Sequence, residues 1–323
     1  KTCHFQTNNI VLKIYIVLRI IHSLEMDRYT ALIFEGGGMK GMCFVGALLE
    51  LTKEHEGCGS LDLSNVRYYG GTSAGSIFAT LLASGHTPQE IEQVMYDTKW
   101  KRLKDGGFCF LQNIVRLFRG FGYHKGQFIE ELINKLLYKR TGIHNITFEQ
   151  LHNITNNHLK MVGTNLTTGK IEYMDHVLTP HMPVAKAVQI SACIPFVFEP
   201  VKYNGAMYVD GGLVKNFDID MFSEYKPTLL AFDIDDTKEE RITNIMVYFM
   251  KMFQLIHRKA NTFDPDALKN TSILRIHESE VSTFDFDISK DQLTHMKQVG
   301  ACYAQKFIEL RAALLLQNVY RHL

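Results

Sequence analysis

The chain is short of several features that would assign it a class at once. Its six cysteines (Cys3, Cys43, Cys58, Cys109, Cys193 and Cys302) form no C-x-x-C pair and lie far apart. That argues against a disulfide framework and for reduced thiols in a cytoplasmic compartment, so the Asn-x-Thr patterns at Asn145, Asn153 and Asn165 are read as coincidental. There is no surplus of one charge: Lys+Arg 35 against Asp+Glu 34 offers nucleic acid no electrostatic hold. The 14 histidines include no H-E-x-x-H or comparable spacing, so neither a catalytic metal nor another cofactor is expected. The run Ile10 to Ile21 is too short, and too interrupted by Lys13 and Arg19, to span a bilayer, and no small-residue cleavage site follows it. Residues 1–25 therefore read either as translated upstream sequence before a natural start at Met26 or as a short membrane-surface anchor. The remaining length, at 46% hydrophobic content, suffices for one large α/β domain plus an extension.

What is present is a pair of glycine-rich turns. The first, Gly36-Gly37-Gly38-Met39-Lys40-Gly41, follows the apolar run Ala31–Phe34 and presents backbone N–H groups with few side chains in the way. The second, Gly71-Thr72-Ser73-Ala74-Gly75, is a G-x-S-x-G arrangement, which puts a serine on a sharp strand-to-helix turn. A serine facing a row of amide donors is what acyl transfer requires: a nucleophile, and donors for the oxyanion that it generates. The first turn alone also fits a dinucleotide-binding loop, with Glu54, Glu56 or Asp62 as the acidic partner. A nucleotide site, however, has no use for a second elbow bearing serine. A third element, Met207-Tyr208-Val209-Asp210-Gly211-Gly212, ends a short strand with an aspartate before two glycines. Taken singly, Ser73 could be a helix cap and Asp210 a turn aspartate.

In this order and spacing the three elements resemble the patatin-like phospholipase family, over Tyr29 to Phe232. The segment Ile190-Ser191-Ala192-Cys193-Ile194-Pro195-Phe196-Val197-Phe198 adds to the likeness. The resemblance implies a serine hydrolase with a Ser–Asp dyad and no catalytic histidine. Ser73 is the implied nucleophile, Asp210 the base, and the amides around Gly37, Gly38 and Met39 the oxyanion hole. It departs from the family at Lys40, where arginine is usual; lysine keeps the charge but loses the planar fork of donors. Membrane phospholipids or lysophospholipids are the implied substrates, cleaved without calcium through an acyl-serine intermediate. The alternatives are an acyltransferase and a silent lipid-binding or assembly protein of the same fold.

The periodicity predicts strands at Ala31–Phe34, Val66–Gly70, His158–Thr164, Lys170–Met174, Tyr208–Val209 and Leu229–Ile234. Helices are expected at Met42–Glu54, Ser76–Ser84, Pro88–Thr98, Gly126–Tyr138 and Pro183–Ser191. Such alternation favours a mostly parallel central sheet with helices on both faces, and a site at the carboxyl ends of the strands. Residues 233–323 read as a helical C-terminal extension packed on the core. Asp233, Asp235 and Asp236 read as a solvated strand terminus. His55, His86, His144, His152 and His158 read as surface or loop residues. Between Asp97 and Gly126, basic residues alternate with aromatics. Trp100, Lys101, Arg102 and Lys104 are the candidates there for peripheral contact with an anionic lipid surface, against the plainer alternative of a solvated helix pair.

Overall fold

The computed structural model describes residues 26–54, 59–106, 110–235, 241–243, 245–260 and 271–322. Residues 1–25 (with Cys3), His55, Glu56, Cys58, Cys109 and Asp236, all singled out above, lie outside them.

The main sheet has the order β10-β9-β1-β2-β4-β8-β7, with β5 also paired to β4. Its strands are β1 (Ala31–Phe34), β2 (Tyr68–Gly71), β4 (His158–Asn165), β5 (Lys170–Asp175), β7 (Val201–Tyr203), β8 (Ala206–Asp210), β9 (Leu229–Asp235) and β10 (Ser272–His277). The run from β10 to β4 is parallel, while β5, β7 and β8 pair antiparallel. A small parallel ribbon joins β3 (Gly122–His124) to β6 (Phe196–Phe198).

The strands sort their side chains by alternation. In β1, Leu32 and Phe34 enter the larger core, while Ala31 and Ile33 enter the smaller one. The larger core is covered by α1 (Met42–Leu51), α2 (Ala74–Ala83), α3 (Pro88–Asp97), α5 (Gln127–Thr141), α6 (Phe148–Thr155) and α7 (Val184–Ser191). The smaller is covered by the chain from Phe217 to Phe222 and the 3-10 helix Ser223–Thr228. Thr87 caps α3 with a complete capping box, with Pro88 in the first turn. Beneath the first glycine turn, Phe34, Phe44, Phe78 and Phe232 form one aromatic cluster, with Phe34 stacked on Phe232 at 4.7 Å and Phe44 edge-on to Phe78 at 5.6 Å.

The expected elements appear with ends shifted by a few residues. The C-terminal extension is helical, with α8 (Ile245–Ala260) and α9 (Lys290–His322), but it also supplies β10 to the sheet edge. It thus completes the sheet as well as packing on it. Asp233 is not a solvated terminus: it is buried, ion-paired with Arg275 and set against buried Glu35.

Candidate active site

Ser73 stands between β2 and α2 with φ 53° and ψ −126°, a left-handed backbone that costs a non-glycine residue energy and persists only where surroundings enforce it. The glycines two residues either side make the turn feasible. A Cβ at Gly71 would meet Gly75 backbone at 2.4 Å, and one at Gly75 would meet the Phe34 carbonyl oxygen at 2.1 Å. Ser73 N donates to Ser191 Oγ at 3.1 Å, so the elbow is also held from α7. Behind it, α2 aims its positive N-terminal end at the serine.

Asp210 closes β8 and is fully buried. Its amide donates to Cys193 O at 2.7 Å, and its Oδ1 accepts from Gly212 N at 2.7 Å. Its Oδ2 is buried without a hydrogen bond. Burial pushes this carboxylate up to about 7; the neighbouring Ser73 hydroxyl and then the Gly212 amide pull the other way. The Ser73 side chain is therefore near enough to act on the carboxylate's charge, short of a formed hydrogen bond. The structure brings the two residues together from positions far apart in sequence.

The first glycine turn lies across Ser73: a Cβ at Gly36 would come within 2.9 Å of Ser73 Cβ and 2.2 Å of Asn216 Oδ1. Asn216 fixes this turn. Its Oδ1 accepts from Gly36 N at 3.1 Å, and its Nδ2 donates to Gly36 O at 3.0 Å and Glu35 Oε1 at 2.7 Å. Glu35 Oε2 in turn accepts from Ile234 N at 2.8 Å. Burial, then the charge of Asp233, holds Glu35 well above the usual carboxylate range. Met39 N donates to Thr283 O at 2.9 Å. Of the three amides expected to form an oxyanion hole, that of Met39 is thus occupied, while those of Gly37 and Gly38 make no hydrogen bond among the described residues.

Beside Ser73 runs a narrow apolar cavity of about 50 Å³, lined among others by Ile77, Met95, Trp100, Ile194, Phe198 and Phe286. A strained serine, a buried unpartnered carboxylate oxygen and an apolar slot make a site for an acyl group. Residues 32–223 match the family model described as patatin-like phospholipase.

The chain belongs to the patatin-like phospholipase family.

It is 28% identical over 281 residues to the uncharacterized protein R571 of Acanthamoeba polyphaga mimivirus, covering 83% of this chain and 90% of that protein. It is 30% identical over 210 residues to the probable lipid hydrolase 463L of Invertebrate iridescent virus 6, covering 63% of this chain and 66% of the relative. Among solved structures, VipD from Legionella pneumophila superposes with a TM-score of 0.58 at 17% identity, over 87% of this chain and 67% of that one; this likeness shows the fold.

Within this patatin-like site, Lys40 joins the glycine turn to the C-terminal extension. It is fully buried and its Nζ donates to Glu278 O at 2.6 Å, tying the glycine turn to the segment after β10. The dinucleotide reading of that turn fails because Ser73, Asn216 and Thr283 cover it. Trp100, expected to face a lipid surface, is not exposed. It is buried, donates from Nε1 to Met95 O at 2.8 Å, and lines the acyl slot. Lys101 and Lys104 both pair with Asp287, and Arg102 lies over the Phe128 ring at 4.5 Å and faces Glu131. His86 is buried, against expectation, with its Nδ1 beside Ser84 Oγ and Leu81 O. Sequence reasoning missed Ser191, Asn216, Glu278 and Thr283. Only the Ile190–Phe198 likeness pointed near one of them.

Proposed function

We propose that the chain is a lipid acyl hydrolase that cleaves fatty-acyl esters of phospholipids or lysophospholipids. The observation that carries this reading is the buried, unpartnered Oδ2 of Asp210 beside the strained Ser73 at the mouth of an apolar slot. Asp210 takes the Ser73 proton as Oγ attacks the ester carbonyl carbon. The amides of Gly37 and Gly38 hold the resulting oxyanion. The carbon–oxygen bond to the alcohol breaks, and Asp210 returns the proton to the leaving oxygen. A water then attacks the acyl-serine carbonyl, gives its proton to Asp210, and releases the fatty acid as Ser73 is reprotonated. A base near pH 7 suits this role, because a carboxylate of ordinary acidity takes a hydroxyl proton poorly. Nucleophile, base and oxyanion donors are all supplied by the chain, so the route runs without calcium.

The lipid surface is met, on this reading, by a face other than Trp100 to Lys104. The helix α4 (Phe110–Gly120) leads into β3, and β3 pairs with β6 through Gly122 and Phe196. Phe118 is 77% exposed, and Phe121 and Phe196 are also exposed. Phe196 stacks at 4.3 Å on Phe249 of α8, whose Ile245, Tyr248, Met252, Leu255 and Ile256 are exposed too. Two residues along β6, Phe198 lines the acyl slot, so the exposed apolar face leads to the cavity. Both Phe121 (φ 62°) and Phe196 (φ 66°) hold left-handed backbones, a strain of about 1–3 kcal/mol each for bulky residues.

The test is labelling with a fluorophosphonate probe alongside fatty-acid release from phospholipid vesicles in the presence of a calcium chelator. Both signals are expected in the parent and absent in Ser73→Ala, with release reduced at least about a thousandfold in Asp210→Asn. A folded parent that neither labels nor releases fatty acid would overturn the reading.

A further inference from the structure

Three histidines scattered along the sequence converge in the fold. His152 belongs to α6, His158 opens β4 and His176 follows β5; one ring nitrogen from each lies within 4.8 Å of the others. The rings of His152 and His176 stack at 4.0 Å, and that of His158 sits 4.7 and 4.9 Å from them. Two of the three were expected to be unrelated surface or loop residues.

The cluster is built rather than incidental. His152 Nδ1–H donates to Asn157 O at 2.9 Å, which fixes its tautomer and leaves the Nε2 lone pair free, the arrangement that orients a metal-binding imidazole. His176 Nδ1 is buried with no hydrogen bond. The His158 ring lies flat on Tyr68 at 4.5 Å, and Tyr68 is itself hydrogen-bonded to Tyr225 at 2.6 Å. The turn that carries His176 is held by Asp175 Oδ1, which accepts from Val177 N at 2.8 Å and Leu178 N at 2.7 Å. A cavity of about 350 Å³ with His158, His176, Lys160 and Glu224 in its wall opens onto the cluster and gives an entry path.

We propose that His152, His158 and His176 form a binding site for one divalent transition-metal ion, Zn²⁺ above all, with a further position open to the cavity. Three imidazoles without a carboxylate ligand suit zinc and its neighbours and not magnesium or calcium. Zinc–nitrogen distances of about 2.0–2.1 Å require the His152 and His176 rings to turn out of their stack, so that the nitrogens close in and their lone pairs converge on one ion. The site lies at the opposite end of the sheet from the dyad. His158 pairs with Tyr68 at the start of β2, whereas Ser73 follows its end, and Asp210 faces Gly163 five residues further along β4. At roughly 3.3 Å per residue the separation is about 17 Å, so the ion takes no part in ester cleavage and instead ties α6 to β4 and to the turn after β5.

The test uses the full chain without an affinity tag, freed of metal by a chelator and then dialysed. Calorimetric titration with Zn²⁺ and visible absorption on adding Co²⁺ are the readouts. The parent is expected to bind one equivalent of either ion, with the spectrum of four-coordinate cobalt. His152→Ala, His158→Ala and His176→Ala should each weaken zinc binding about a hundredfold or more, while His144→Ala and His181→Ala leave it unchanged. Fluorophosphonate labelling at Ser73 is expected to be the same with and without zinc. Should an alanine variant fail to fold, His176→Gln keeps the bulk without the imidazole and answers the same question. A parent that binds no equivalent of zinc, or cluster variants that bind it as the parent does, would overturn the proposal.

Discussion

At Asp210 the protein keeps a carboxylate where burial favours the protonated form, and under the proposed mechanism this single residue makes both activity and stability depend on pH. As the proposed base it must be ionised, so the rate of fatty-acid release is expected to fall about tenfold per unit below pH 7 and to level off above it. The stability effect has the opposite slope. In the unfolded chain the group titrates near its ordinary value, so between that value and about 7 the folded state binds the extra proton. Stability from this group is complete at low pH and is lost as pH rises through 7, by something of the order of 4 kcal/mol. Asp210→Asn should therefore raise the denaturation midpoint relative to the parent, and by more at pH 8 than at pH 5. Chemical denaturation at the two pH values measures this. An equal effect at both would show that the carboxylate is not held in its protonated form.

At the scale of elements, the proposed function rests on two strand ends and one exposed ribbon. The β2–turn–α2 unit makes its nucleophile elbow locally, because Gly71 and Gly75 allow a turn that any side chain would block. The α4–β3–β6–α8 face is different in kind: its phenylalanines come from separate segments and meet only through the Gly122–Phe196 pairing and the Phe196–Phe249 stack. Removing Phe118 and Phe121 together, as Phe118→Ser with Phe121→Ser, should weaken sedimentation with anionic phospholipid vesicles at least about tenfold, given roughly 1.5–3 kcal/mol for burying one such ring. Hydrolysis of a short soluble ester should be preserved. Vesicle binding equal to the parent's would remove the lipid role of this face.

Over the whole molecule, the C-terminal extension is part of the site. The long helix α9 crosses α1 at a point where both backbones touch: a Cβ at Gly46 would meet Lys297 O at 1.9 Å, and one at Gly300 would meet Cys43 O at 1.9 Å. That docking holds the segment between β10 and α9, from which Glu278 O accepts Lys40 Nζ and Thr283 O accepts Met39 N. A methyl group at either glycine must push the helices apart, so Gly300→Ala is expected to cost about 2 kcal/mol or more and to lower fluorophosphonate labelling of Ser73. Thermal unfolding and labelling rate, measured on the same preparation, check both halves. Unchanged labelling in a destabilised variant would separate the extension from the oxyanion turn.

The sequence by itself determined the local chemistry: the elbow at Ser73, the glycine turn, the aspartate before two glycines, and the alternation of strands and helices. These follow from short-range rules, since a tight turn needs glycine at fixed offsets and a buried face needs apolar residues at fixed periods. The contacts that join distant segments were decided by the tertiary structure. Asn216 bracing Gly36, Ser191 holding Ser73 N, Lys40 turned toward Glu278 and Trp100 folded into the acyl slot depend on which strand ends lie side by side, and no spacing along the chain records that. The ionisation of Asp210 likewise comes from burial, a property of the surrounding packing and not of the motif that carries it. The histidine cluster shows the same division. His152, His158 and His176 have no metal-binding spacing in the sequence, and they meet because α6 precedes β4 and β5 returns antiparallel alongside it, bringing both ends of that hairpin to one end of the sheet.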